Sequence, residues 1–138
     1  MSLSAEAQKE SMSSERISIL LVDDMPLVRQ GLRSLLEPHP HLTVVGEASD
    51  GLAAVELAHT LRPDVIVMDV HISRLDGVEA TRRIKAILPH TIVIGLSVQH
   101  DRHVQGAMLS AGAQAFVAKD TVMDDLIGAI DEATGTHH

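Results

Sequence analysis

The chain has 138 residues, 45% of them hydrophobic, which suits one domain with a sizeable core and leaves no room for a second. A formal net charge of -8 argues against direct binding to nucleic acid or an anionic membrane, and the single aromatic, Phe116, argues against base stacking. Cysteine is absent, which excludes a disulfide framework and a thiol nucleophile; with no run as long as a membrane span and no signal-peptide apolar segment, a cytoplasmic protein is expected.

Residues 1–15 are rich in Ser, Glu, Lys and Ala and hold almost no large apolar side chain, so they read as a disordered tail. The run Ile17-Ser18-Ile19-Leu20-Leu21-Val22 reads as a buried strand closed by Asp23 and Asp24. Pro26 suits the first turn of a helix, in which Val28, Leu32, Leu35 and Leu36 recur at helical spacing until Pro38 stops it. A second strand over Thr43 to Gly46 leads to a helix from Gly51 to Leu61, capped by Asp50, with Leu52, Val55 and Ala58 on its inner face.

Val65-Ile66-Val67-Met68 forms the third strand and ends in Asp69. Asp76-Gly77 opens a helix whose apolar face carries Val78, Ile84, Ile87 and Leu88 before Pro89 breaks it. The fourth strand, Ile92 to Leu96, ends in Ser97; a helix over 101–111 follows, with Val104, Ala107 and Met108 inward and Gly112 at its C-terminal position. Ala115-Phe116-Val117-Ala118 ends in Lys119, and Val122, Leu126, Ile127 and Ile130 mark the last helix. The expected domain spans residues 16–134, with 135–138 a tail or tag remnant.

Short apolar runs bounded by polar residues suit strands covered on both faces, as in parallel sheets. Strand and helix alternate five times, so right-handed crossovers predict an α/β fold: a flavodoxin-like five-stranded parallel sheet, order 2-1-3-4-5, with five helices in a three-layer α/β/α sandwich. Ligands of such sheets bind beyond the carboxyl ends of the strands, where Asp23, Asp24, Asp69, Ser97 and Lys119 all fall. Clustered carboxylates repel one another, which raises at least one pKa and favours a divalent cation, and oxygen donors suit Mg²⁺.

In this order and spacing, Leu21-Val22-Asp23-Asp24, Val67-Met68-Asp69, Asp76-Gly77, Ser97 and Lys119 resemble the receiver domain of bacterial two-component response regulators. The resemblance runs from Ile17 to Glu132; Pro26-Leu27-Val28-Arg29-Gln30-Gly31-Leu32 and Gly77-Val78-Glu79-Ala80-Thr81-Arg82-Arg83-Ile84 are similar to receivers joined to LuxR-type helix-turn-helix output domains. It implies that Asp69 accepts a phosphoryl group from a sensor histidine kinase. Asp24 and Asp69 would ligate Mg²⁺ directly, Asp23 mostly through water, and the backbone carbonyl of His71 would complete the set. Lys119 and Ser97 would bind the phosphoryl oxygens, Ser97 and Phe116 would form the switch, and His71 and Gln99 would flank the hydrolytic water and tune dephosphorylation. Beyond its own phosphorylation and dephosphorylation such a domain is no enzyme. It would homodimerise on phosphorylation and reach DNA only through an output domain outside this chain.

Two departures stand out. Ser73 occupies the position four past the phosphoacceptor where receivers usually carry proline, which predicts a more mobile loop and a looser His71 carbonyl. Asp120 replaces the proline that often follows the lysine, so a trans Lys119-Asp120 bond is expected. Among rival readings, a haloacid-dehalogenase-like phosphatase needs a second aspartate where His71 stands, a flavodoxin needs a Thr/Ser-rich phosphate loop and flavin-stacking aromatics, and there is no P-loop. Zinc is rejected as well, since His100 and His103 have only Asp101 beside them. The alternative left open is a receiver-like interaction module that works without phosphorylation.

Overall fold

A computed structural model describes residues 16–97 and 102–135. The strands are β1 (Ile17–Val22), β2 (Leu42–Ala48), β3 (Val65–Asp69), β4 (Ile92–Ser97) and β5 (Ala115–Ala118). The helices are α1 (Pro26–Leu36), α2 (Gly51–Leu61), α3 (Gly77–Ile87), α4 (Arg102–Ala111) and α5 (Val122–Thr134), the last entered through a 3-10 turn at Lys119–Thr121. All four strand pairings are parallel and the order is β2-β1-β3-β4-β5, as the alternation predicts.

Alternation along the strands divides the core in two. Leu20, Val22, Ile66 and Met68 pack with Ala54 and Ala58 of α2, Ala80 and Ile84 of α3, and Met108 of α4. Ile19, Leu21, Val65 and Val67 pack on the other side with Leu32 and Leu36 of α1 and Leu126 and Ile130 of α5. Both faces of the sheet are therefore dry, which is why the strand runs are almost uninterrupted in apolar residues.

Two helix faces differ from expectation. Leu52, placed inward by the pattern, is 39% exposed, and α2 instead buries Gly51, Ala54 and Ala58. Likewise Ile87 is 49% exposed, while α3 buries Gly77, Ala80, Thr81 and Ile84. In both helices small residues spaced three or four apart bring the backbone close to its neighbours, and a larger apolar side chain beside that stripe is turned outward. β2 also runs past its expected Gly46 end to Ala48, because Leu21 and Val22 of β1 pair with Glu47 and Ala48.

The caps agree with the sequence. Asp50 accepts a hydrogen bond from the Ala53 amide and Asp76 from the Glu79 amide, satisfying N-terminal donors that the helices leave over. No cis peptide occurs among the described residues, so Lys119-Asp120 is trans.

Candidate functional site

Register brings the polar strand ends to one edge. Val22 pairs with Met68, so Asp23 and Asp69 leave neighbouring strands at the same level; Asp69 pairs with Leu96, and Ser97 with Ala118, the residue before Lys119. Asp23 is 0% exposed and Asp69 2%, whereas Asp24 is exposed. Oxygens of the three carboxylates lie within 4.8 Å of one another.

Lys119 Nζ stands 2.8 Å from Asp23 Oδ2 and 3.2 Å from Asp69 Oδ2. Asp23 Oδ1 accepts from the Met25 amide at 2.9 Å, and Asp69 Oδ1 from the His71 amide at 3.1 Å. Asp23 Oδ2 is buried and has the ion pair with Lys119 but no well-aligned hydrogen bond. Burial first, and the Asp23 charge second, push the Asp69 carboxyl up, against the opposing pull of Lys119. Burial by itself would lower the Lys119 ammonium, but the two carboxylates outweigh it and its pKa is raised. Two buried carboxylates thus share one ammonium, with a third carboxylate at the rim. An all-oxygen donor set of three carboxylates, two of them buried around a single ammonium, fits a hard divalent cation of the Mg²⁺ kind.

Ser97 is fully buried at the end of β4. Phe116 is half-buried on β5 beside Gly95; a Cβ at Gly95 would lie 3.0 Å from both the Phe116 ring and Met108 Cε, so glycine there leaves space for the aromatic. His71 is exposed and its amide faces Asp69. Gln99 and His100 lie outside the described residues.

The loop from Asp69 to Asp76 is restrained by a device other than proline. The first two amides of α2, from Gly51 and Leu52, donate to the carbonyls of Ser73 and Arg74, each at 3.2 Å, and the Gly77 amide donates to the Val70 carbonyl at 3.1 Å. Arg74 and Leu75 hold positive φ values of 54° and 99°, a conformation that costs roughly 1–3 kcal/mol per residue and persists only where surrounding contacts impose it. Gly51 permits the contact, since a Cβ there would stand 1.9 Å from the Leu75 carbonyl oxygen. The freedom that Ser73 would confer is therefore opposed by docking on α2.

A group that the pattern did not single out adjoins the site. Arg29 donates through Nη1 to the Asp23 carbonyl at 2.5 Å and through Nε to Glu47 Oε1 at 2.9 Å. Glu47 Oε2 also accepts from Arg33 Nε and Nη2, at 2.9 and 2.7 Å. The available signal was a charged residue in an otherwise apolar strand, together with two arginines four apart on the facing helix.

Comparison with known proteins agrees with this arrangement. The response regulator receiver domain family matches residues 19–131. The chain is 38% identical over 122 residues to the transcriptional regulatory protein YxjL of Bacillus subtilis, covering 88% of this chain and 56% of that protein. It is 36% identical over 123 residues to the nitrate/nitrite response regulator NarL of Escherichia coli K12, again covering 88% and 56%. The chain thus spans little more than half the length of these curated relatives. Among solved structures, the response regulator domain of Thermotoga maritima CheB superposes with a TM-score of 0.82 at 34% identity, over 89% of this chain and 99% of that one. A LuxR-family two-component response regulator from Aurantimonas sp. SI85-9A1 gives 0.82 at 33% identity, over 87% and 86%. The parallel sheet, the acidic strand ends and these matches together place the chain in the response regulator receiver domain family, with transcriptional response regulators of two-component signalling among its relatives.

Proposed function

We propose that residues 16–134 form a receiver that takes a phosphoryl group from a sensor histidine kinase onto Asp69 and thereby switches an output. The observation that carries this reading is the buried Asp69 carboxylate, pushed up in pKa and facing Lys119 across from Asp23. Buried carboxylates whose pKa is raised by burial and a like charge, beside a specific cation, concentrate where chemistry is done.

Asp23, Asp24, Asp69 and the His71 backbone carbonyl are the groups to hold Mg²⁺. When bound, the ion neutralises the carboxylates and the charge developing on the phosphoryl oxygens. An Asp69 carboxylate oxygen attacks phosphorus, the bond from phosphorus to the donor nitrogen or oxygen breaks, and an aspartyl phosphate forms. Lys119 pairs with one phosphoryl oxygen and the Ser97 hydroxyl donates to another. Drawing those two groups inward lets the half-buried Phe116 ring repack, which couples the site to α4, β5 and α5. His71 and Gln99 flank the water that later hydrolyses the acyl phosphate, so the chemistry is self-directed and the domain is otherwise no enzyme. Dimerisation follows phosphorylation, and transcription is regulated through a DNA-binding domain outside these 138 residues. No described helix is long and apolar enough to cross a membrane, and we place the protein in the cytoplasm.

Incubation with acetyl phosphate and Mg²⁺ should add one phosphoryl group by intact mass, and Asp69→Asn should abolish it. Undiminished labelling of that variant overturns the assignment; no labelling of the parent protein favours the phosphorylation-independent interaction module.

A further inference from the structure

The Asp23-Asp24 segment is gripped from outside the acidic cluster. The Asp23 amide donates to the Ala48 carbonyl at 3.1 Å, and its carbonyl accepts from Arg29 Nη1. That carbonyl belongs to the peptide joining Asp23 to Asp24, so rotating it swings the Asp24 carboxylate relative to Asp23 and Asp69. Arg29 is itself anchored by Glu47, with its side chain only 17% exposed. One planar guanidinium spans both acceptors, which an ammonium on a flexible stem cannot do in the same geometry.

We propose that Arg29 is a positioning residue for the carboxylates that take the divalent cation: it fixes the Asp23 carbonyl, and through it the presentation of Asp23 and Asp24. This inference rests on the metal reading above. Removing partners that orient metal ligands typically costs 10–100-fold in affinity, although Arg29 itself touches no ion. Arg33 supplies the control, because it shares Glu47 with Arg29 and makes no hydrogen bond to Asp23.

Mn²⁺ affinity, read from the electron paramagnetic resonance signal of free Mn²⁺, separates positioning from mere stabilisation when thermal melting in EDTA is followed in parallel. Arg29→Ala should weaken Mn²⁺ binding about 10-fold, Arg33→Ala should stay within about 2-fold of the parent, and Arg29→Lys should fall between them. A parent-like affinity for Arg29→Ala, whatever its melting temperature, overturns the proposal, as does an equal loss in Arg33→Ala. Should Arg29→Ala fail to fold, Arg29→Lys against Arg33→Ala decides, and equal affinities overturn it. A parent protein that binds no Mn²⁺ refutes the metal reading together with this inference, whereas parent binding with unchanged Arg29 variants refutes this inference alone.

Discussion

The carboxyl end of β1 separates two clusters built from the same chemistry with opposite outcomes. On one side Asp23 and Asp69 share Lys119; on the other, Glu47 takes hydrogen bonds from both Arg33 and Arg29. The hydrogen bond from Arg33, ahead of the opposing cost of burial, holds the Glu47 carboxyl below its ordinary range, while burial and Asp23 lift Asp69 above its own. Counting Glu37, which meets Arg33 Nη1 at 3.4 Å, two guanidiniums balance two carboxylates at Glu47, whereas at Asp69 the carboxylates outnumber the one ammonium. The balanced cluster fastens α1 to β2. The cluster in deficit keeps an attraction for further positive charge that no side chain among the described residues satisfies.

The comparison breaks most visibly at Lys119. Lys119→Ala leaves two buried carboxylates without their cation, and the metal-free protein should lose roughly 3–5 kcal/mol in urea denaturation at pH 7 with EDTA present, part of it regained on adding Mg²⁺. A loss under about 1 kcal/mol would mean that the metal-free fold already keeps one carboxyl protonated. Because the Lys119 pKa is raised, its contribution is complete below the ordinary lysine value and disappears as pH rises through the higher folded one.

A smaller effect is expected at the balanced cluster around Glu47. Glu47→Gln weakens charge-assisted bonds to two arginines and should cost about 1–2 kcal/mol, reduced by partial exposure. Since the folded Glu47 pKa lies below the ordinary glutamate value, its stabilisation is present above that value and is lost as pH falls through the folded one. Stability curves against pH should therefore show a shallower acid-side decline in the variant; parallel curves would show that Glu47 contributes nothing by its charge.

The smallest change should carry the opposite sign. A raised pKa means that folded Asp69 keeps its proton longer than the unfolded chain does, so its ionisation subtracts stability as pH rises past the ordinary aspartate value. Asp69→Asn removes that penalty and should stabilise the metal-free protein at pH 7, with the gain fading towards acid. If calorimetry finds the variant less stable at pH 7, the anion is holding the fold together.

How far the site could be read in advance varied with the kind of residue. Asp23, Asp69, Ser97 and Lys119 end strands, and strand ends of a parallel sheet converge by topology alone, so their meeting followed once the alternation was seen. The same reasoning gave Asp24 no different status from Asp23, yet one is exposed and the other sealed, because adjacent residues point opposite ways as the chain leaves the sheet. Arg29 and Glu47 lie eighteen residues apart on different elements, and nothing local pairs them.

By itself the sequence determined the strand and helix alternation, the cap at Asp50, the helix start at Asp76-Gly77, and the composition of the acidic edge, since periodicity, capping chemistry and strand termini are properties of neighbouring residues. Tertiary structure alone decided which apolar residues were turned out, as at Leu52 and Ile87, and how the loop carrying Ser73 was held, namely by the free amides of α2 beneath it. It also decided how much positive charge each carboxylate received, because that depends on distances across the fold, between groups that the chain keeps far apart.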